Sequence, residues 1–103
     1  VKKTVAVKIE KQYEIELRPE VCTQEFVSEF ESYMWELDGD TLEEKLNNLS
    51  AYVGRQIAQY DMDFVEGVGS VSSKFSLKLK EDAGHKIAAV YQEVYDDVET
   101  EVE

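Results

Sequence analysis

Twenty-three carboxylates, one imidazole and one thiol are what this 103-residue chain offers for chemistry. Nucleophilic catalysis normally recruits a histidine, whose pKa lies near neutrality. The only one, His85, sits in a loop-like stretch between Gly84 and Lys86, where an exposed loop residue is the simpler reading. Cys22 falls on the apolar face of a helical pattern and reads as a small buried hydrophobe. Asp38-Gly39-Asp40 and Asp61-Met62-Asp63 each set two carboxylates two positions apart, a spacing that hard cations use. Neither continues into a calcium loop, so each reads as a helix cap or turn. Gly67-Val68-Gly69 is only a fragment of a phosphate loop, and no nucleophile elbow or dinucleotide fingerprint is present. A carboxylate pair for glycoside hydrolysis lacks an accompanying aromatic series, since the chain has one Trp. No cofactor or metal is implied, and the expectation is a non-enzymatic protein.

Charge says more than any motif. The net charge is −12, which would repel nucleic acid and anionic membrane surfaces. No run of 18 apolar residues marks a transmembrane helix. Lys8 and Glu10 interrupt the apolar start too early for a signal peptide, and a lone cysteine fits a reducing, cytoplasmic setting. The acids are unevenly placed. Residues 1–18 are slightly basic, whereas residues 19–44 hold nine acids and residues 93–103 six, with no base in either block.

The elements that would position these groups can be read from periodicity. Length allows one domain, 1–103, with a radius of gyration of roughly 13 Å and a diameter of about 33 Å. Val5, Val7, Ile9, Tyr13, Ile15 and Leu17 alternate with polar residues, a strand signal with one apolar face. Unbroken, residues 4–17 would reach roughly 46 Å, longer than that body. The segment is therefore either a bent strand or a hairpin turning at Glu10-Lys11-Gln12. Pro19 suits a first helical turn, and Cys22, Phe26, Phe30, Tyr33, Met34 and Leu37 carry helical spacing over 20–37. Thr41 and Glu44 form a capping box before a second amphipathic helix through Leu42, Leu46, Leu49, Val53 and Ile57, ending near Tyr60. Residues 64–71 read as extended, with glycines marking a turn, a bulge or a close backbone approach, and Phe75, Leu77 and Leu79 as a further strand before a turn at Glu81-Asp82-Ala83-Gly84. Ile87, Val90, Tyr91, Val94 and Tyr95 suit either a helix or a strand. Val98, Thr100 and Val102 alternate as a terminal strand or a frayed tail. The predicted fold is α+β: an antiparallel sheet with two amphipathic helices on one face, in the order strand(s)-helix-helix-strands.

On a wheel of the first helix, Glu25, Glu29 and Glu36 flank one side of Phe30 and Glu31 the other, with no Lys or Arg four residues away. Trp35 falls about 140° from Phe30, on the acidic side. Together with Asp38, Asp40, Glu43 and Glu44 they outline an electronegative face with an aromatic anchor. Such a face either keeps the chain soluble or addresses a basic partner.

The alternating first strand, the two helices, the Phe64-Val65-Glu66-Gly67-Val68-Gly69 segment and the acidic Val98-to-Glu103 end resemble small acidic proteins encoded by bacteriophages. Some of those inhibit host defence nucleases, restriction or CRISPR effectors, by occupying DNA-binding surfaces. The resemblance implies an anti-CRISPR or anti-restriction type of inhibitor in the host cytoplasm. Carboxylates of the 25–44 face would stand where phosphates bind on a basic surface of a host protein. The basic first strand departs from the pattern of whole-surface DNA mimics. The other reading is an oligomeric structural or accessory phage protein, including a homodimer, because strand edges near either terminus could pair between chains.

Overall fold

The alternation of residues 5–17 forms one continuous strand, β1 (Val5–Leu17), and not a hairpin. The structure is a computed structural model and describes residues 1–60, 63–73 and 87–102. Helices α1 (Gln24–Tyr33) and α2 (Leu42–Tyr60) come next, then strands β2 (Phe64–Val65), β3 (Gly69–Ser73) and β4 (Ile87–Val102). The strands make one sheet in the order β1-β4-β3-β2. The protein thus has a small α+β fold with the expected order of elements. The sheet is mixed and not antiparallel throughout as expected: β1–β4 and β2–β3 are antiparallel, while β3 runs parallel to the first residues of β4. The stretch with two readings, 87–95, is strand, and so is the acidic end up to Val102. β-Branched and aromatic side chains prevail there because β1 offers a complete antiparallel partner. The strand expected at Phe75–Leu79, the turn at Glu81–Gly84 and His85 lie outside the described residues.

α1 is shorter than its apolar spacing suggests. Residues 18–22 are taken by turns, with Val21 N–H donating to Arg18 O at 2.9 Å and Cys22 N–H to Pro19 O at 3.1 Å. Thr23 is the true cap, its hydroxyl accepting from Phe26 N–H at 3.1 Å. At the other end Met34 leaves helical backbone angles after donating to Phe30 O. α2 begins where the capping box places it: Thr41 Oγ1 accepts from Glu44 N–H at 3.2 Å. Glu44 Oε2 in turn accepts from Asp40 N–H at 2.8 Å, one residue earlier than the usual box.

The core gathers Val27 and Phe30 of α1, Leu37 of the connection between the helices, Leu49 and Val53 of α2, Val65 of β2 and Val71 of β3, all essentially inaccessible. Tyr13, Ile15 and Leu17 of β1 pack against it from the sheet. The β2–β3 turn closes on this core. Gly67 has φ +83°, and a Cβ there would lie 2.7 Å from Phe30 Cε2, so both the left-handed backbone and the approach of the ring require glycine.

The molecule measures 57 × 36 × 21 Å, with a radius of gyration of 16.6 Å. That exceeds the roughly 13 Å of a 100-residue globule. The excess is the outer half of the β1–β4 ribbon. Gln12 pairs with Tyr95 but Tyr13 with Glu93, which leaves Val94 as the extra residue of a β-bulge. Beyond it Val5–Lys11 pair, among the described residues, with Asp96–Val102 alone, giving a two-stranded arm roughly 24 Å long.

Candidate functional site

Two surfaces could do work: the acidic segment that the sequence singles out, and the arm, which it does not. The acidic residues are not one free helical face. α1 carries Glu25, Glu29 and Glu31, but Trp35, Glu36, Asp38 and Asp40 follow its end, and Glu43 and Glu44 open α2. Trp35 therefore does not occupy the helical-wheel position expected of it. Its ring lies edge-on to Tyr52 at 4.7 Å and to Phe30 at 5.2 Å between centroids, with 41% of the residue exposed. It caps the core while showing one side to solvent.

Glu31 is occupied. Both carboxylate oxygens accept from Lys45 Nζ, at 3.0 and 3.1 Å, and Oε2 also accepts from Leu37 N–H at 2.8 Å. The bonds from Lys45 and Leu37 hold its carboxyl below the usual carboxylate range. Glu44 is used in the α2 cap. Glu25, Glu29, Glu36, Asp38, Asp40 and Glu43 are exposed and have no ion pair among the described residues. The i±4 rule on α1 holds, yet it misses Lys45, which reaches Glu31 from the next helix.

This pair has a pH signature. With its folded pKa depressed, Glu31 stabilises the fold above the ordinary glutamate range and loses that contribution as pH falls through the lowered folded value. Thermal unfolding of wild type and Glu31→Gln from neutral to acid pH is expected to show a midpoint gap that shrinks on acidification. A gap that is constant with pH would mean that the carboxylate's charge does not matter.

The arm is built by the same alternation that builds the body. Residues opposite one another in register share a face. Tyr13, Ile15 and Leu17, opposite Glu93, Tyr91 and Ala89, face the helices, and Tyr13 meets Tyr91 edge-on at 6.0 Å. Farther out the same face carries Val5 opposite Val102, Val7 opposite Thr100 and Ile9 opposite Val98. No described helix reaches them, and these five large apolar side chains stay about half exposed, Ile9 at 59%. The other face is polar, with Lys8 opposite Glu99 and Glu10 opposite Asp97. One sequence signal pointed to the arm: the strand is longer than a globular body of this mass.

Where arm meets body, a groove of about 580 Å³ opens between β1 and α2. Lys11, Tyr13 and Ile15 form one wall, and Ser50, Ala51, Gly54 and Ala58 are among the residues of the other. Gly54 lets the helix come close, since a Cβ there would stand 3.0 Å from Ile15 Cδ1. Among the described residues no group of three His, Cys, Asp or Glu side chains converges as a metal site would. No helix of the described residues is long and apolar enough to cross a membrane. No protein-family model, curated protein or solved structure matches the chain.

Proposed function

We propose that this chain is a non-enzymatic assembly protein that joins another polypeptide through its β-arm. The observation that supports this is the uncovered apolar stripe of Val5, Val7, Ile9, Val98 and Val102. A two-stranded ribbon is marginal in water unless something packs on its hydrophobic face. Contiguous exposed apolar surface marks interaction sites. Its polar reverse and the bulge at Val94 leave one face to be covered.

A second reading keeps the acidic segment as the working surface, inhibiting a host nucleic-acid-handling defence enzyme as small acidic phage proteins do. The observation favouring it is six exposed carboxylates, Glu25, Glu29, Glu36, Asp38, Asp40 and Glu43, without an ion pair among the described residues. Trp35 gives it a half-exposed aromatic anchor.

One experiment separates the two. Tagged full-length chain is crosslinked in cells that make it, and complexes heavier than the monomer are followed. Under the arm reading they vanish with Val7→Lys, Ile9→Lys and Val98→Lys combined, and persist with Glu25→Lys, Glu29→Lys and Glu36→Lys combined. The reverse pattern discards the arm and establishes the acidic surface.

A further inference from the structure

β1 lies at the edge of the sheet and pairs only with β4, so its outer backbone groups face no other described strand along thirteen residues. The groove between β1 and α2 is lined on its sheet side by this same edge strand, through Lys11, Tyr13 and Ile15. The apolar arm face is continuous with the groove wall, through Lys11 to Tyr13 and Ile15. Taking the arm as the contact surface, the geometry points to a second copy of this chain as its occupant. The β1 strands of two copies pair antiparallel about a two-fold axis at Lys11, and each arm seats its apolar face in the other's β1–α2 groove.

The register is set by the side chains. Pairing about Lys11 places Val5, Val7 and Ile9 of one copy beside Leu17, Ile15 and Tyr13 of the other. It extends the core-facing row of each sheet with apolar residues. On the opposite face Lys8 meets Glu14, Glu10 meets Gln12 and Ala6 meets Glu16, each twice by symmetry. A shift of two positions either way puts Glu10 opposite Glu10 or opposite Glu14, and a shift of one turns apolar side chains onto the polar face. Lys11 meets itself on the axis, but each copy sets Asp96 opposite Lys11.

Thirteen strand residues give a paired edge about 44 Å long, and the two arm faces seated in their grooves add to it, toward the about 800 Å² per partner of a stable interface. Ser50, Ala51, Gly54 and Ala58 of the helical wall are small enough to leave room for Val7 and Ile9, with Asn47 and Arg55 lining the same groove.

Sedimentation of the purified full-length chain alone tests this. A dimer is expected in the micromolar range, and Glu14→Lys, which sets lysine against Lys8, is expected to weaken it about tenfold. Ala51→Trp, which fills the groove from an exposed position on α2, is expected to abolish it while the monomer unfolds at an unchanged temperature. In a Cys22→Ala background, Lys11→Cys is expected to form an interchain disulfide under mild oxidation, because paired residues on the axis lie within disulfide reach. Val7→Cys alone is not expected to do so, whereas Val7→Cys with Ile15→Cys is. A wild type that remains monomeric throughout the micromolar range overturns the self-pairing. So does a dimer that Lys11→Cys fails to crosslink. A monomer in isolation whose cellular complexes still depend on Val7, Ile9 and Val98 sinks the second copy and leaves the arm reading standing.

Discussion

Phe30→Ala is expected to cost about 4 kcal/mol of folding stability, in the range of large-to-small changes at aromatic core positions. Domains of this size hold roughly 5–15 kcal/mol in all, so the variant would be partly or largely unfolded at 37 °C. Phe30 is fully buried. Its ring stands edge-on to Trp35, is tilted 6.1 Å from Tyr52 and closes against Gly67, so it joins α1 to α2 and to the β2–β3 turn. None of these neighbours can fill the space. Tyr52 is held in place by its hydroxyl, which donates to Glu66 O at 2.9 Å, and Gly67 has no side chain. The cavity term therefore adds to the lost transfer energy. Urea unfolding followed by fluorescence checks the value, because the chain's single tryptophan, Trp35, touches the site. A loss under about 1 kcal/mol would show that the three elements close without the ring.

Valine to aspartate at two positions is expected to separate the two ends of the sheet. Val71→Asp, in β3, places a carboxylate at a fully buried site and is expected to cost about 4 kcal/mol or more. Its neighbours there are apolar, and β3 lies between β2 and β4, so the charge has no route to water. Val7→Asp, in the arm, is expected to cost less than about 1 kcal/mol, the scale of strand propensity. Val7 is 56% exposed and lies beyond the helices. Urea unfolding of both variants, at dilution sufficient to keep the chain monomeric, makes the comparison. Equal losses would mean that the arm is packed against the body and not projected from it.

These two valines show where the sequence is informative. Val7 stands in a strictly alternating strand and Val71 in a short Gly- and Ser-rich one, so local pattern alone would favour burial of the wrong valine. Periodicity gives the face, and the capping box gives the start of α2, because both are local. What covers a face is decided elsewhere. The described helices pack over Tyr13, Ile15 and Leu17 and leave Ile9, Val7 and Val5 about half exposed. The expectation of a 33 Å body failed for the same reason, since it assumed that all apolar residues are gathered into one globule. Trp35 left its predicted position because α1 stops at Tyr33, after which its ring packs edge-on against Tyr52 and Phe30. Glu31 lost its apparent isolation to Lys45, fourteen positions later, a separation that wheel analysis does not see.

The pairing of Val5 with Val102 has a kinetic meaning. The most extensive ladder among the described residues joins positions up to 97 apart, and such non-local pairing slows folding, because a long loop must close before any contact rewards it. Helices α1 and α2 can form and meet early. β1 is synthesised before both helices and waits for β4, which follows them. In that interval it is an alternating, apolar and partnerless segment of the kind that aggregates. Lys8, Glu10 and Lys11 then act as gatekeepers, interrupting Val5, Val7 and Ile9 with charge during the time when no strand is available to shield them.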